Sequence, residues 1–352
     1  MRLDNTEIEF QSKLTEIFSS FFSDIPSIQG WELLENLPTN ANIARADAVV
    51  EVRFKDCTIR LLIEIKSLGQ PKQARHAVNQ LRTISSQEVR SYPVFIAPYI
   101  SPATAELCRK SDIGYADFAG NCRLAFNDVY IFREGCSNPY ISKRKLKSLY
   151  QPAASRVLRV LLANSKKAWK VAQLQQEANV SIGTVSNVRN ALLDREWIQK
   201  GIDGIQLSDP GSLLNDWSNH YSFRKNTIYD FYSLKSIAEI ENEIADQGVQ
   251  YALTAFSAAA RWAPSVRSNR VFAYISKDIE VLAEKLNLKS VPSGANVTLL
   301  KPYDDGVYYG SEMMNDVRIV APIQTYLDLM SLRGRGEEAA QHLLENVIQQ
   351  QW

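Results

Sequence analysis

Apolar and polar positions along this chain fall into three successive patterns. In the first, residues 5–23 carry apolar side chains at 8, 10, 14, 17, 18, 21 and 22 with polar residues between them, which is helical spacing. Arg45–Phe54 and Cys57–Lys66 are then two β-branched runs on either side of a Lys55-Asp56 turn and predict a hairpin; the stretch around Trp31 is left unassigned. A helix over Lys72–Ile84, a strand over Tyr92–Ala97, a helix over Pro102–Lys110 and closing strands within Gly114–Phe126 and Asp128–Phe132 complete the set. Helix, two strands, helix, strand, helix, two strands is the order of an α/β domain with a mixed central sheet.

The second pattern starts near Gln151-Pro152, with helices over Ser155–Ala163, Lys170–Ala178 and Ile182–Asp194, then a hairpin over Trp197–Leu207 whose tip is Gly-Ile-Asp-Gly. Ile182, Val185, Val188 and Leu192 give the third helix a stripe expected to be buried. From about residue 211 the pattern is mixed again. A strand runs into a small-residue helix over Tyr251–Trp262, and strands are expected over Arg270–Ile275 and Asn296–Leu300. Helices follow over Ile279–Leu286, Val320–Leu329 and Arg333–Leu344. The chain therefore reads as a multidomain protein of α/β and α+β class, with domains at 1–148, 149–210 and 211–352.

Composition narrows the class. At 352 residues, 45% apolar and 22% charged, the chain is ordinary soluble globular material. It has no run of eighteen apolar residues to span a membrane and no apolar signal core at its start, so a cytoplasmic protein is expected. Cys57, Cys108, Cys122 and Cys136 show no CxxC spacing and fit reduced thiols better than a disulfide framework. His76, His220 and His342 sit on separate elements, which argues against a zinc site; no P-loop or GxGxxG motif points to a nucleotide. Net charge is only +1, but Arg133–Lys170 holds ten Lys or Arg against the single acid Glu134. Such a belt is either a phosphate footprint or, for Lys143–Lys147 taken alone, a solvated linker.

The hairpin carries the first candidate chemistry. Antiparallel pairing places Asp47 opposite Glu64 or Lys66, and Glu64 and Lys66 share a face because strand side chains repeat every two residues. Two carboxylates on adjacent strands make half a cage for a hard cation such as Mg²⁺ (or Mn²⁺), with Asp47 and Glu64 as metal ligands. A lysine beside them can orient water or offset phosphate charge. Asp47 followed by Glu64-Ile65-Lys66 resembles the PD-(D/E)XK nuclease superfamily, with Ala46 where that family has proline. The resemblance implies a restriction-endonuclease-like sheet, catalytic Asp47, Glu64 and Lys66, a glutamine near the metal at Gln80, and a further acid from the leading helix at Glu9 or Glu16. Plain solvent exposure of Gln80, Glu9 and Glu16, and a surface ion pair at Lys66, are the alternatives.

The three helices and hairpin of 149–210 resemble a winged helix-turn-helix. Ser181, Thr184, Ser186, Asn187, Arg189 and Asn190 lie off the apolar stripe and suit phosphates and base edges, with Lys200 on the wing; a winged helix used for protein contacts is the alternative. Two further segments resemble AbiEi-type antitoxins of type IV toxin–antitoxin systems. One is Gly114-Tyr-Ala-Asp117-Phe-Ala-Gly120-Asn121, to which no role is assigned. The other is the Gln324-Thr-Tyr-Leu-Asp-Leu329 helix followed by Gly334-Arg-Gly-Glu-Glu-Ala-Ala340, where Glu337 and Glu338 also suit a helix start. The resemblances together imply a DNA-binding transcriptional regulator and antitoxin of a phage-defence system, binding double-stranded DNA, with a cognate toxin encoded elsewhere and a homodimer as its expected assembly. The alternatives are a Mg²⁺-dependent DNA endonuclease of a mobile or defence element, targeted by its winged helix, and a protein-interaction scaffold.

Overall fold

The computed structural model describes residues 5–34, 46–140, 149–265, 269–332 and 334–352, with side chains in the first helix described from Ser12 onward. Arg45, the basic cluster Lys143–Lys147, Arg333 and the Glu9 side chain lie outside the described residues. The chain divides into two compact units, residues 1–143 with 194–196, and residues 144–193 with 197–352.

In the first unit α1 (Asn5–Phe22) leads into seven strands: β1 (Gly30–Leu33), β2 (Ala48–Arg53), β3 (Thr58–Ile65), β4 (Ser91–Ala97), β5 (Gly114–Asp117), β6 (Cys122–Phe126) and β7 (Val129–Arg133). Their spatial order is their sequence order. β3, β4 and β5 run parallel, joined by the crossover helices α2 (Pro71–Ser85) and α3 (Pro102–Lys110), and the outer pairings are antiparallel. The stretch around Trp31, unassigned from sequence, is the edge strand β1 against β2.

Strand alternation sets the two faces. Leu61 and Ile63 turn toward Leu14, Phe18 and Phe22 of α1, whereas Leu62 turns toward Ala77, Val78 and Leu81 of α2 and Cys108 of α3. Each such buried aliphatic side chain contributes roughly 1.5–3 kcal/mol. A charge on β3 therefore faces one helical layer or the other, and Glu64 shares the α2 side with Leu62.

Gly114–Phe126 breaks into two strands at Asp117, whose side chain is fully buried. Its carboxylate accepts from the backbone N–H groups of Ile100 (3.0 Å), Ala119 (3.0 Å) and Asn121 (2.8 Å), and from Asn121 Nδ2 (2.9 Å). Asn121 Oδ1 in turn accepts from Cys136 N at 2.9 Å. The glycine-framed motif is thus a polar staple joining the β4–α3 loop, the β5–β6 turn and the chain beyond β7. Four donors satisfy a buried charge that would otherwise be costly.

The second unit opens with α4 (Pro152–Ala163), α5 (Val171–Glu177) and α6 (Ile182–Asp194), then the hairpin β8 (Ile198–Gly201) and β9 (Gly204–Leu207). α7 (Pro210–His220) leads to a second seven-stranded sheet built from β10 (Thr227–Tyr232), β11 (Tyr251–Leu253), β12 (Val271–Ile275), β13 (Lys289–Ser290), β14 (Val297–Lys301), β15 (Glu312–Met314) and β16 (Val317–Ile319). The strand order is β13-β10-β14-β12-β11-β16-β15, mixing parallel and antiparallel pairs. Helices α8 (Ile237–Asp246), α9 (Ala255–Trp262), α10 (Ile279–Lys285), α11 (Pro322–Met330) and α12 (Arg335–Leu343) accompany it. One hydrophobic core runs from Leu149 to Ile348, taking in Leu158, Val185 and Leu192 as well as Tyr274 and Leu327. Gly336 lets α12 close on α11, since a Cβ there would lie 2.4 Å from the Leu329 carbonyl oxygen. Glu337 and Glu338 occupy the first turn of α12, where they favour the helix dipole.

Two sequence expectations change here. Val185, Val188 and Leu192 are buried as expected, but Ile182 is 59% exposed. The stripe continues onto the first turn of α6 by spacing alone, and among the described residues no element buries Ile182 there. The basic belt also shrinks, because Arg156 and Arg159 point inward. Arg156 makes a bidentate pair with Asp304, at 3.0 and 2.8 Å, and Arg159 is 3% exposed. Among the described residues no helix is long and apolar enough to cross a membrane.

Candidate functional site

The β2–β3 register, Ala48 opposite Ile63, carries on to place Asp47 across from Glu64. Asp47 Oδ2 accepts the Ile65 backbone N–H at 2.8 Å, and its own N–H donates to the Ile63 carbonyl at 2.9 Å, which holds the carboxylate at the hairpin's end. Glu64 stands on the interior strand β3 with its side chain 2% exposed, between two donors: Lys66 Nζ on Oε1 and Gln80 Nε2 on Oε2, the latter at 2.9 Å. Gln80 comes from α2, the helix facing this side of the sheet. Asp47, Glu64, Lys66 and Gln80 are therefore brought together, Asp47 exposed and Lys66 half-buried at the mouth. Glu16 is exposed on α1, which packs on the opposite face of the sheet, so it does not join them.

Burial pushes the Glu64 carboxyl above its ordinary pKa; the Lys66 hydrogen bond opposes this and the charge of Asp47 adds to it. Two carboxylates repelling each other at a half-buried mouth are a donor set that a divalent cation relieves, and each Glu64 oxygen keeps a second lone pair beyond its donor. The pair fits an ion such as Mg²⁺, which retains several waters and takes one or two carboxylates. Among the described residues no group of three or more His, Cys, Asp or Glu side chains is placed to hold a metal. All four cysteines are free thiols, and burial raises Cys108 to about 12 and Cys122 to about 11, far from a reactive thiolate.

In the second unit the sequence-predicted contact residues divide. Ser181 caps α6, its Oγ accepting from Thr184 N at 3.1 Å and lying 3.0 Å from Thr184 Oγ1, so both hydroxyls are engaged in the cap. Asn187 and Asn190 are exposed and Ser186 half-buried on the outer face. Arg189 bends toward the hairpin, where it lines a cleft with Lys200.

A third polar assembly lies wholly inside this unit, between residues that no local pattern connects. Asp328 of α11 is fully buried and accepts from Tyr221 Oη (2.6 Å), Tyr274 Oη (2.9 Å), Gln324 Nε2 (3.0 Å) and Thr254 Oγ1. Gln324, one turn earlier, turns its Oε1 to Arg159 of α4, at 2.6 Å from Nη2 and 3.2 Å from Nε. The Arg159 guanidinium also lies over the Trp217 ring at 5.0 Å. A buried cation and a buried carboxylate are thus joined through one amide. Burial raises the Asp328 pKa against the four hydrogen bonds that lower it.

Residues 206–349 match a family model described as a transcriptional regulator, the AbiEi antitoxin of a type IV TA system. The AbiEi match spans under half of the chain, beginning in β9 and ending in the last helical turns. It includes Gln324 and Asp328 and leaves α4, α5, α6 and the whole first unit outside. No curated protein and no solved structure matches the chain.

Proposed function

We propose that this chain is a DNA-binding transcriptional regulator of the antitoxin kind, whose α4–α6 and β8–β9 segment acts as a winged helix-turn-helix. The observation that carries the reading is that this segment shares one core, and the Arg159–Gln324–Asp328 chain, with the part matching AbiEi antitoxin regulators. Three helices and a two-stranded hairpin in that order present a helix with a polar outer face beside a hairpin that carries Lys200, which suits one helix in a major groove and the wing on the backbone. A toxin encoded elsewhere, a homodimer and a role in phage defence follow from the same reading. Footprinting over the DNA upstream of the protein's own gene tests it: a protected site is expected, and unprotected DNA at low salt sinks it.

A second reading has its own observation, the convergence of Asp47, Glu64, Lys66 and Gln80. It makes the first unit a PD-(D/E)XK-like domain and the protein a metal-dependent DNA endonuclease. Asp47 and Glu64 would hold Mg²⁺ or Mn²⁺, which when bound supplies Lewis-acid and water-activating chemistry. Lys66 offsets charge on the scissile phosphate and Gln80 fixes the Glu64 carboxylate. Plasmid incubated with either ion should be nicked by the wild type and left intact by Glu64→Ala. Cleavage by both proteins, or by neither, removes this reading.

A further inference from the structure

The cleft between α6 and the β8–β9 hairpin holds more than the two cations the sequence pointed to. It encloses about 340 Å³, and its wall includes Trp169, Lys170, Arg189 and Lys200, with no carboxylate among its described lining residues. Two N–H donors of its lining residues, the Trp169 indole Nε1 and the Arg189 Nε, are buried and find no hydrogen-bond partner among the described residues, and Trp169 as a whole is only 3% exposed. Unsatisfied buried donors are rare and call for an acceptor.

The backbone builds this wall deliberately. Trp169 and Ile205 exchange N–H···O bonds at 2.8 and 2.9 Å, which fixes the Trp169 segment to the wing. Gly204, at φ +130°, permits the approach, since a Cβ there would lie 2.2 Å from the Trp169 carbonyl oxygen. Lys167 Nζ sits 3.7 Å from the centre of the Trp169 ring and adds a further cation beside the cleft.

We propose that this cleft is a phosphate-binding site, in which the Trp169 indole N–H, Arg189, Lys170 and Lys200 hold one phosphodiester of a DNA backbone. The assignment rests on the DNA-binding reading and adds Trp169 and Lys170 to it. Orphaned N–H donors and converging cations complement an oxyanion, and a phosphate held there fixes the wing's register on the duplex without reading a base.

The test follows the indole ¹H–¹⁵N signal of Trp169 in the full-length protein, identified by its loss in Trp169→Phe, while short duplex DNA is added and binding is tracked by fluorescence anisotropy. The expected result is a shift of that signal on DNA addition. Lys170→Ala should in addition lower the slope of log affinity against log salt by about 0.9, the value of one lost phosphate contact. DNA that binds while the Trp169 signal stays still, with an unchanged salt slope, overturns the site and leaves the DNA-binding reading standing. DNA that does not bind at low salt overturns that reading, and inorganic phosphate then decides the site. A phosphate-induced shift abolished by Lys170→Ala,Lys200→Ala retains an oxyanion site for a free phosphate, and no shift ends the proposal.

Discussion

Gln324 and Asp328 stand one helical turn apart on α11, and the amide of the first donates to the carboxylate of the second at 3.0 Å. The other end of that amide accepts from Arg159 on α4, 2.6 Å away. A helix whose sequence looks merely amphipathic therefore ties the proposed DNA-reading segment to the rest of its unit. Arg159→Met keeps the aliphatic stem and removes both donors from Gln324 Oε1. Leaving that buried acceptor unsatisfied should cost about 1–3 kcal/mol. Denaturant unfolding monitored by tryptophan fluorescence should show the loss in the unit that holds Trp217, and an unchanged midpoint would contradict the bridge.

Glu64 supplies a pH-dependent test. Its folded-state pKa is raised, first by burial, so its contribution to stability is present below the unfolded carboxyl value and is lost as pH rises through the folded one. Glu64→Gln mimics the neutral acid. The melting temperature of the variant minus that of the wild type should therefore grow from pH 4 to pH 8. Mg²⁺ should shrink the gap at pH 8 by stabilising only the wild type. A gap that is flat with pH would contradict the burial of this carboxyl.

Asp117 tests the staple. Asp117→Ala strips the partner from three backbone N–H groups and one side-chain amide, so a loss at or above the 1–3 kcal/mol expected of about one orphaned buried group is predicted. Thermal denaturation of the full chain reads it. A variant as stable as the wild type would show that water replaces the carboxylate.

Ile182 and Leu192 share a predicted stripe and differ in fact. Ile182→Ala should change stability by less than about 0.5 kcal/mol, as an exposed site does. Leu192→Ala should cost about 2–5 kcal/mol, as a fully buried leucine does. Equal losses in chemical denaturation would place Ile182 back in the core.

These contrasts show which parts of the architecture were legible in the sequence. α3 and α6 begin and end where spacing and N-terminal residues placed them, Pro102–Lys110 and Ile182–Asp194, because each signal is local. The hairpin register put Asp47 on the right face, and the lysine and glutamine found Glu64, since strand periodicity and one crossover helix fix both. β10, α7 and the β15–β16 hairpin were not foreseen. β15 and β16 are three residues each, too short for a period to register; they pair with each other, and β16 joins the sheet through β11, far away in sequence. The Arg159–Gln324–Asp328 chain was invisible for a related reason, whereas the Asp117 staple draws on the nearby Ala119 and Asn121 and reaches beyond them to Ile100 and, through Asn121, Cys136. Arg159 and Gln324 lie 165 residues apart, and no spacing rule connects them.

The segment from α4 to β9 is proposed to bind DNA sequence-selectively. Fluorescence anisotropy of a duplex from the region upstream of the gene, set against a shuffled duplex of the same composition over a range of KCl, tests it most directly. Tighter binding to the upstream duplex is expected, weakening for both as salt rises, with loss of the preference in Asn187→Ala,Asn190→Ala. Equal affinity for the two duplexes, or no binding to either at the lowest salt, would contradict it.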